Sequence, residues 1–215
     1  MRITVIMSDQ PTESPDQFVS ECTRAETRRT QILRAAEDCF RCKGFHGASI
    51  ALISKAAGMS PGHIYHYFEN KEAIIAAIVA RDVERMLTLT AEIRSASNVR
   101  EAMLERVTEG VEECLDARGA GLKLEIVAEG ARNPHIAEVI RTADRTCRES
   151  LALTLRDTRR ASGYDDDDAT IDGMVEVLCA MFEGLMIRRI RNPDLDPAVV
   201  VRLFQGALRD LLNQD

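Results

Sequence analysis

Residues 60–72 read Ser-Pro-Gly-His-Ile-Tyr-His-Tyr-Phe-Glu-Asn-Lys-Glu. Gly62, His63, Tyr65, His66 and Tyr67 offer imidazoles, phenols and a bare stretch of backbone, with no carboxylate among them. Tyrosine hydroxyls and backbone N–H groups make phosphate contacts. An imidazole donates to or accepts from a base edge according to its tautomer. Glycine lets backbone come close to a ligand. Lys71 opens the following helix, where its charge and the free N–H groups both favour a phosphate. This is the chemistry of a surface that grips nucleic acid.

Two other clusters could do chemistry. Cys39, Cys42 and His46 fall on one helical face, as a metal or redox site would require. They supply only three ligands, Gly44 interrupts the helix, and Cys39 sits in an apolar stripe where a thiol behaves as a small hydrophobe. Asp165–Asp168, with Asp172 and Gly173, resembles the start of a calcium loop. Counted from Asp168, its twelfth place is Cys179, so the bidentate carboxylate is missing, and acids before a helix are explained by its dipole. No Gly-rich phosphate loop, Gly-x-Ser-x-Gly or His-Glu-x-x-His occurs. No metal, cofactor or enzymatic activity is expected.

The elements that must position these residues are helices. Residues 1–22, with Pro11, Pro15 and four acids, show no periodicity and read as a disordered arm. Thr23-x-x-Glu26 is a capping box, and Ile32, Leu33, Ala36, Cys39 and Phe40 then recur at helical spacing up to Gly44. Ser49 opens a short helix that ends at Gly58. Ser60-Pro61 opens another, with Ile64, Tyr65 and Phe68. Two short helices joined through Ala57-Gly58-Met59-Ser60 form a helix-turn-helix, with Gly58 supplying the positive φ of the turn. Ile50, Ile53, Ala57, Ile64 and Phe68 are its expected core.

Asn70 caps a helix to about Ser95, and Asn98 one to about Asp116. Gly119 and Gly121 are read as breaking the chain before Leu122–Ala131. Asn133-Pro134 opens a helix to about Ser162, followed by Ile171–Ile190 and, after Asp196-Pro197, Ala198–Leu212. The fold class is all-α with about nine helices. The domains are a helix-turn-helix unit over 23–70 and a helical body over 71–215.

The net charge of −7 argues against nucleic acid as a partner. Its distribution does not. Residues 24–71 hold eight basic and four acidic residues, a net of +4, while 1–23 and 72–215 carry −3 and −8. A basic reader on an acidic body is the footprint of DNA binding. No apolar run is long enough for a membrane span, and the N-terminus lacks the apolar region of a secretory signal. The protein is expected in the cytoplasm, without a membrane partner and with its cysteines reduced.

Residues from about 24 to 80 resemble the DNA-binding domain of the TetR (tetracycline repressor) family. Its Phe-x-x-x-Gly-Phe is matched by Phe40-Arg-Cys-Lys-Gly44-Phe45, and its Ala-Gly by Ala57-Gly58. Its Tyr-x-x-Phe is matched by Tyr65-His-Tyr-Phe68 and its Lys-Glu by Lys71-Glu72. Ala128–Pro134 resembles a helix junction of many members. The resemblance implies a ligand-responsive regulator, most simply a repressor, that binds a palindromic operator as a homodimer and is released by a small molecule. Carried over by position, the DNA contacts are Ser49, Gly62, His63, Tyr65, His66 and Lys71, with Ser60 beside them. His63 stands where many members have threonine or another small polar residue.

The stripes of the last two helices suit either the domain core or a four-helix dimer interface, and the resemblance favours the interface. Its candidates are Met174, Val177, Leu178, Met181, Phe182 and Leu185, with Val200, Phe204, Leu208 and Leu211. An effector cavity is expected among Met86, Leu89, Met103, Val107, Cys147 and Met181, with Glu125, Arg132 and Arg148 orienting the ligand. With no Trp, three Tyr and six Phe, the effector is expected to be aliphatic or amphipathic.

Overall fold

Capping explains where the helices begin. In the computed structural model, which describes residues 15–214, eight helices open on an Asn, Asp or Ser side chain. Each such oxygen accepts an otherwise unpaired N–H of the first turn. Ser49, Ser60 and Asn70 do so at 3.1, 3.2 and 2.8 Å. The helices are α1 (Pro15–Gly47), α2 (Ile50–Ala57), α3 (Pro61–Tyr67), α4 (Lys71–Ser95), α5 (Val99–Leu115), α6 (Ala117–Gly130), α7 (Pro134–Ala161), α8 (Asp168–Arg191) and α9 (Pro197–Leu211).

Three boundaries differ from expectation. Helix α1 starts at Pro15, so the Thr23–Glu26 capping box lies inside it, and of the arm read over 1–22 only 1–14 lie outside the described residues. Gly44 does interrupt α1, with φ 68° and ψ 169°, but the chain resumes a short turn to Gly47. Gly119 and Gly121 lie within α6 rather than before it. The reason is Asp116, whose carboxylate accepts the Gly119 N–H at 2.7 Å and starts the helix upstream. Two glycines cost a helix only about 1 kcal/mol each.

The apolar faces build two cores. The first joins α1–α4 around Phe40, Ile53, Ile64, Phe68 and Ile78, closed from the body by Ile126 and Ile136. The second joins α5, α8 and α9 around Val111, Leu155, Ile171, Leu178 and Leu208. Helices α4 and α7 run through both.

The aspartate run has structural work. Asp166 forms a bidentate pair with the buried Arg159 (2.5 and 2.8 Å), Asp167 caps α8, and Asp168 pairs with Arg156 at 2.7 Å. Arg159 also donates to the carbonyls of Leu212 and Gln214 and lies 3.8 Å from the Tyr164 ring centre. The clasp fixes the end of α9 against α7.

Candidate nucleic-acid interface

The turn between α2 and α3 is built as its residues dictate. Gly58 takes φ 65°, ψ 33°, and no atom crowds its α-carbon, so its conformation alone requires glycine. The N–H groups of Gly58 and Met59 return to Lys55 and Ser54. From α1, Gln31 donates to the Ala57 carbonyl at 2.8 Å. Ile53, Ala57, Ile64 and Phe68 are buried as expected, and Ile50 is half-buried. With Ile64 and Phe68 inward, the outer face of α3 is determined. Gly62, His63 and His66 are exposed, and Tyr65 is 56 % exposed. Tyr67 is half-buried and meets both imidazoles edge-on at 5.3 and 5.1 Å. Ser49 and Ser60 stand exposed at the starts of α2 and α3.

Lys71 departs from the expectation of a free phosphate ligand. Its Nζ donates to the Phe45 carbonyl at 2.6 Å and lies 4.3 Å from the Phe45 ring centre. The Phe45 N–H is held from the other side by Glu125 of α6, at 2.7 Å. The peptide after the Gly44 kink is thus gripped by α4 and α6 together. Nearby, His46 lies 3.2 Å from Glu129, whose side chain is 2 % exposed, and Asn133 donates to Glu72 at 2.6 Å. These ties join the helix-turn-helix to the body. Sequence reasoning missed Glu72, Glu129 and the second role of Asn133, because the partners lie far apart in the chain. Cys39 is buried in the first core and Cys42 is exposed. Burial, with Asp38 beside it, pushes the Cys39 thiol up, against thiolate chemistry.

Residues 32–78 match the family described as bacterial regulatory proteins, tetR family, and residues 103–213 match the BetI-type transcriptional repressor C-terminal family. The chain belongs to the TetR family of transcriptional regulators. It is 37 % identical over 145 residues to the HTH-type transcriptional regulator UidR of Escherichia coli (strain K12), which is 67 % of this chain and 73 % of that protein. The transcriptional repressor AcnR of Corynebacterium jeikeium is 27 % identical, over 79 % of this chain and 85 % of AcnR. Among solved structures, Salmonella enterica GusR superposes with a TM-score of 0.68 at 34 % identity, covering 85 % of this chain and 95 % of GusR. Like these regulators, this TetR-family chain is not an enzyme.

In this TetR-family body the expected dimer residues divide. Met174, Leu178, Phe204, Leu208 and Leu211 are buried in the chain's own second core. Met181, Phe182, Leu185 and Val200 are half-buried against it, and the Phe182 and Phe204 rings lie 4.7 Å apart. Only Val177 is well exposed, at 49 %. The exposed large apolar residues of these two helices are instead Val177, Ile187 and Ile190 of α8 and Val199 and Leu203 of α9. The stripe on α8 is apolar on two arcs, and helical periodicity does not tell which arc meets α5.

The expected effector residues are not brought together. Met103 and Val107 are core, with Leu89 and Met181 packed on it. Glu125 is spent on Phe45, and Arg132 is exposed and pairs with Glu129 at 3.4 Å. Arg148 bridges α7 to α8 through Glu176 at 2.7 Å. Burial, with Asp144 nearby, pushes up the thiols of Cys147 and of Cys179, the latter to about 11. Met86 is exposed. The open groove of the body lies elsewhere, between α4 and α7, and none of the nine lines it.

Proposed function

We propose that the protein is a one-component repressor that binds a two-fold symmetric operator as a homodimer and leaves it when a small aliphatic or amphipathic molecule binds. The observation that carries this reading is the outer face of α3. His63, Tyr65 and His66 project from it without a carboxylate, on a helix short enough to enter the major groove. Ser49, Ser60 and Gly62 complete the DNA-facing set. Lys71 serves by holding the Gly44–Phe45 kink, and so the helix-turn-helix, in place.

The partner is a second copy. On α8, Gly173, Val177, Ala180, Gly184 and Ile187 recur every three or four residues and face outward or half-outward, and on α9 Val199 and Leu203 are exposed. Small residues among branched ones let two such pairs pack as four helices. Two-fold symmetry makes the operator a palindrome with half-sites one helical turn or a multiple apart. No helix among the described residues is long and apolar enough to cross a membrane, and the site of action is the cytoplasm.

The test is a gel-shift with DNA upstream of the protein's own gene. Wild type should retain the fragment at low salt. Tyr65→Ala with His66→Ala should lose it while remaining a dimer by light scattering. A wild type that retains no fragment ends the proposal.

A further inference from the structure

Polar ties fasten α4 to α7 at two levels. At the upper level Asn133 donates to Glu72 (2.6 Å). At the lower, Thr90 and Ser150 share a hydrogen bond of 2.7 Å and Arg94 donates to Thr154 at 2.9 Å. The sequence offsets, 61 above and 60 below, mean that the two helices run parallel and in register. Between the ties, among the described residues, no hydrogen bond or ion pair links them. There the crease between the helices is an open groove of about 490 Å³, a volume within the range of small-molecule sites. Its floor is Ala76, Val79, Ala80 and Val83 from α4 with Val139 and Ala143 from α7. The alanines leave the valley unfilled. From residue 76 to 84 it extends about 12 Å along the helix.

The charge on its walls has one sign. Glu84 stands at the lower end and Glu138 on the α7 flank, and no Lys or Arg lines the groove. Arg141 neutralises Glu138 at 2.7 Å. Glu84 has no basic partner among the described residues. His135 stands at the upper end, beside the Asn133 tie. An apolar trough ending in an unpaired carboxylate complements a linear aliphatic stem that ends in an ammonium group.

We propose that the α4–α7 groove is a binding site for aliphatic ammonium compounds, with the cation at Glu84 and the stem lying over the alanine and valine floor toward His135. The inference rests on the reading of the protein as an effector-controlled repressor, and it assigns the effector's place and chemical class. A ligand wedged between the ties loads the upper one. Glu72 adjoins Lys71, which holds Phe45, so spreading α4 from α7 at this level shifts α3. The ligand acts only as far as it prefers the spread conformer.

The test is calorimetric titration of the full chain with octylamine, octanol and octyl sulfate, with ligand-free and amine-saturated operator affinity read by fluorescence anisotropy. Octylamine should bind once per subunit, about fivefold more tightly than octanol, and octyl sulfate should not bind. Glu84 is exposed, so Glu84→Gln should weaken octylamine about two- to fivefold, by the value of one surface ion pair, and leave octanol unchanged. Ala80→Trp, at an exposed position, should abolish amine binding. Equal binding of octanol or octyl sulfate, or amine binding that survives Ala80→Trp, overturns the site. Amine binding that leaves operator affinity unchanged overturns the coupling. A ligand-free wild type that holds no operator overturns the repressor reading instead, and the titration still decides the groove.

Discussion

Replacing Lys71 by methionine separates two accounts of the same residue. As a free surface cation it would contribute a phosphate contact and nothing to stability. In the structure its ammonium is already committed to the Phe45 carbonyl at 2.6 Å and to the face of the Phe45 ring. A hydrogen bond from a charged donor contributes about 1.5–3 kcal/mol, and a cation over an aromatic ring adds about 0.5–1 kcal/mol. Lys71 is half-buried, which discounts both, so Lys71→Met should cost about 2 kcal/mol. For a chain of this size that lowers the melting temperature by about 4–8 °C. The assay is thermal unfolding alongside operator affinity measured across a salt series. The account expects a lowered melting temperature and an unchanged slope of log affinity on log salt. An unchanged melting temperature with a slope shallower by about 2, one phosphate from each subunit, would refute the clamp and restore Lys71 as a DNA contact.

Other outcomes follow from the same geometry. Gly58→Ala should destabilise the protein by about 1 kcal/mol in denaturant titration, because only its positive φ, and no neighbour, resists a side chain. Leu203→Glu, at a position 64 % exposed, should leave the subunit folded by circular dichroism but turn the dimer into monomers in sedimentation. Arg159 holds the Asp166 carboxyl below the usual carboxylate range. The folded value is therefore the lower one, and the stability the pair supplies is complete above about pH 4 and lost as pH falls through that folded value. Asp166→Asn should flatten this acid limb and cost about 2 kcal/mol at pH 7, less than a wholly stranded charge because the carbonyls of Leu212 and Gln214 still accept from Arg159.

What the sequence made legible was local. Ser49, Ser60, Asn70, Asn98, Asn133 and Asp196 cap their helices as read, since a cap depends on residues two or three places away. The inward and outward faces of α3 followed from Ile64 and Phe68 at helical spacing. Gly119 and Gly121 misled because the Asp116 cap outweighs their weak propensity. The grip on Phe45 was illegible, because Glu125 lies 80 residues from it and nothing local marks the pairing. The dimer face was half legible. Helical spacing showed that α8 is apolar, but Met174 and Leu178 are buried in the chain's own second core while Val177 and Ile187 are exposed. The groove lay hidden for the opposite reason: Ala76, Ala80 and Ala143 look like ordinary helix formers until two helices are seen side by side.

The central claim is that a dimer presents two copies of the α3 face to DNA. Hydroxyl-radical footprinting of the wild-type protein on the upstream fragment tests it most directly. The account predicts two protected half-sites related by a two-fold axis, their centres about 10 base pairs or a multiple apart, with both lost together in Tyr65→Ala. A single protected tract, or protection that survives Tyr65→Ala unchanged, would contradict it.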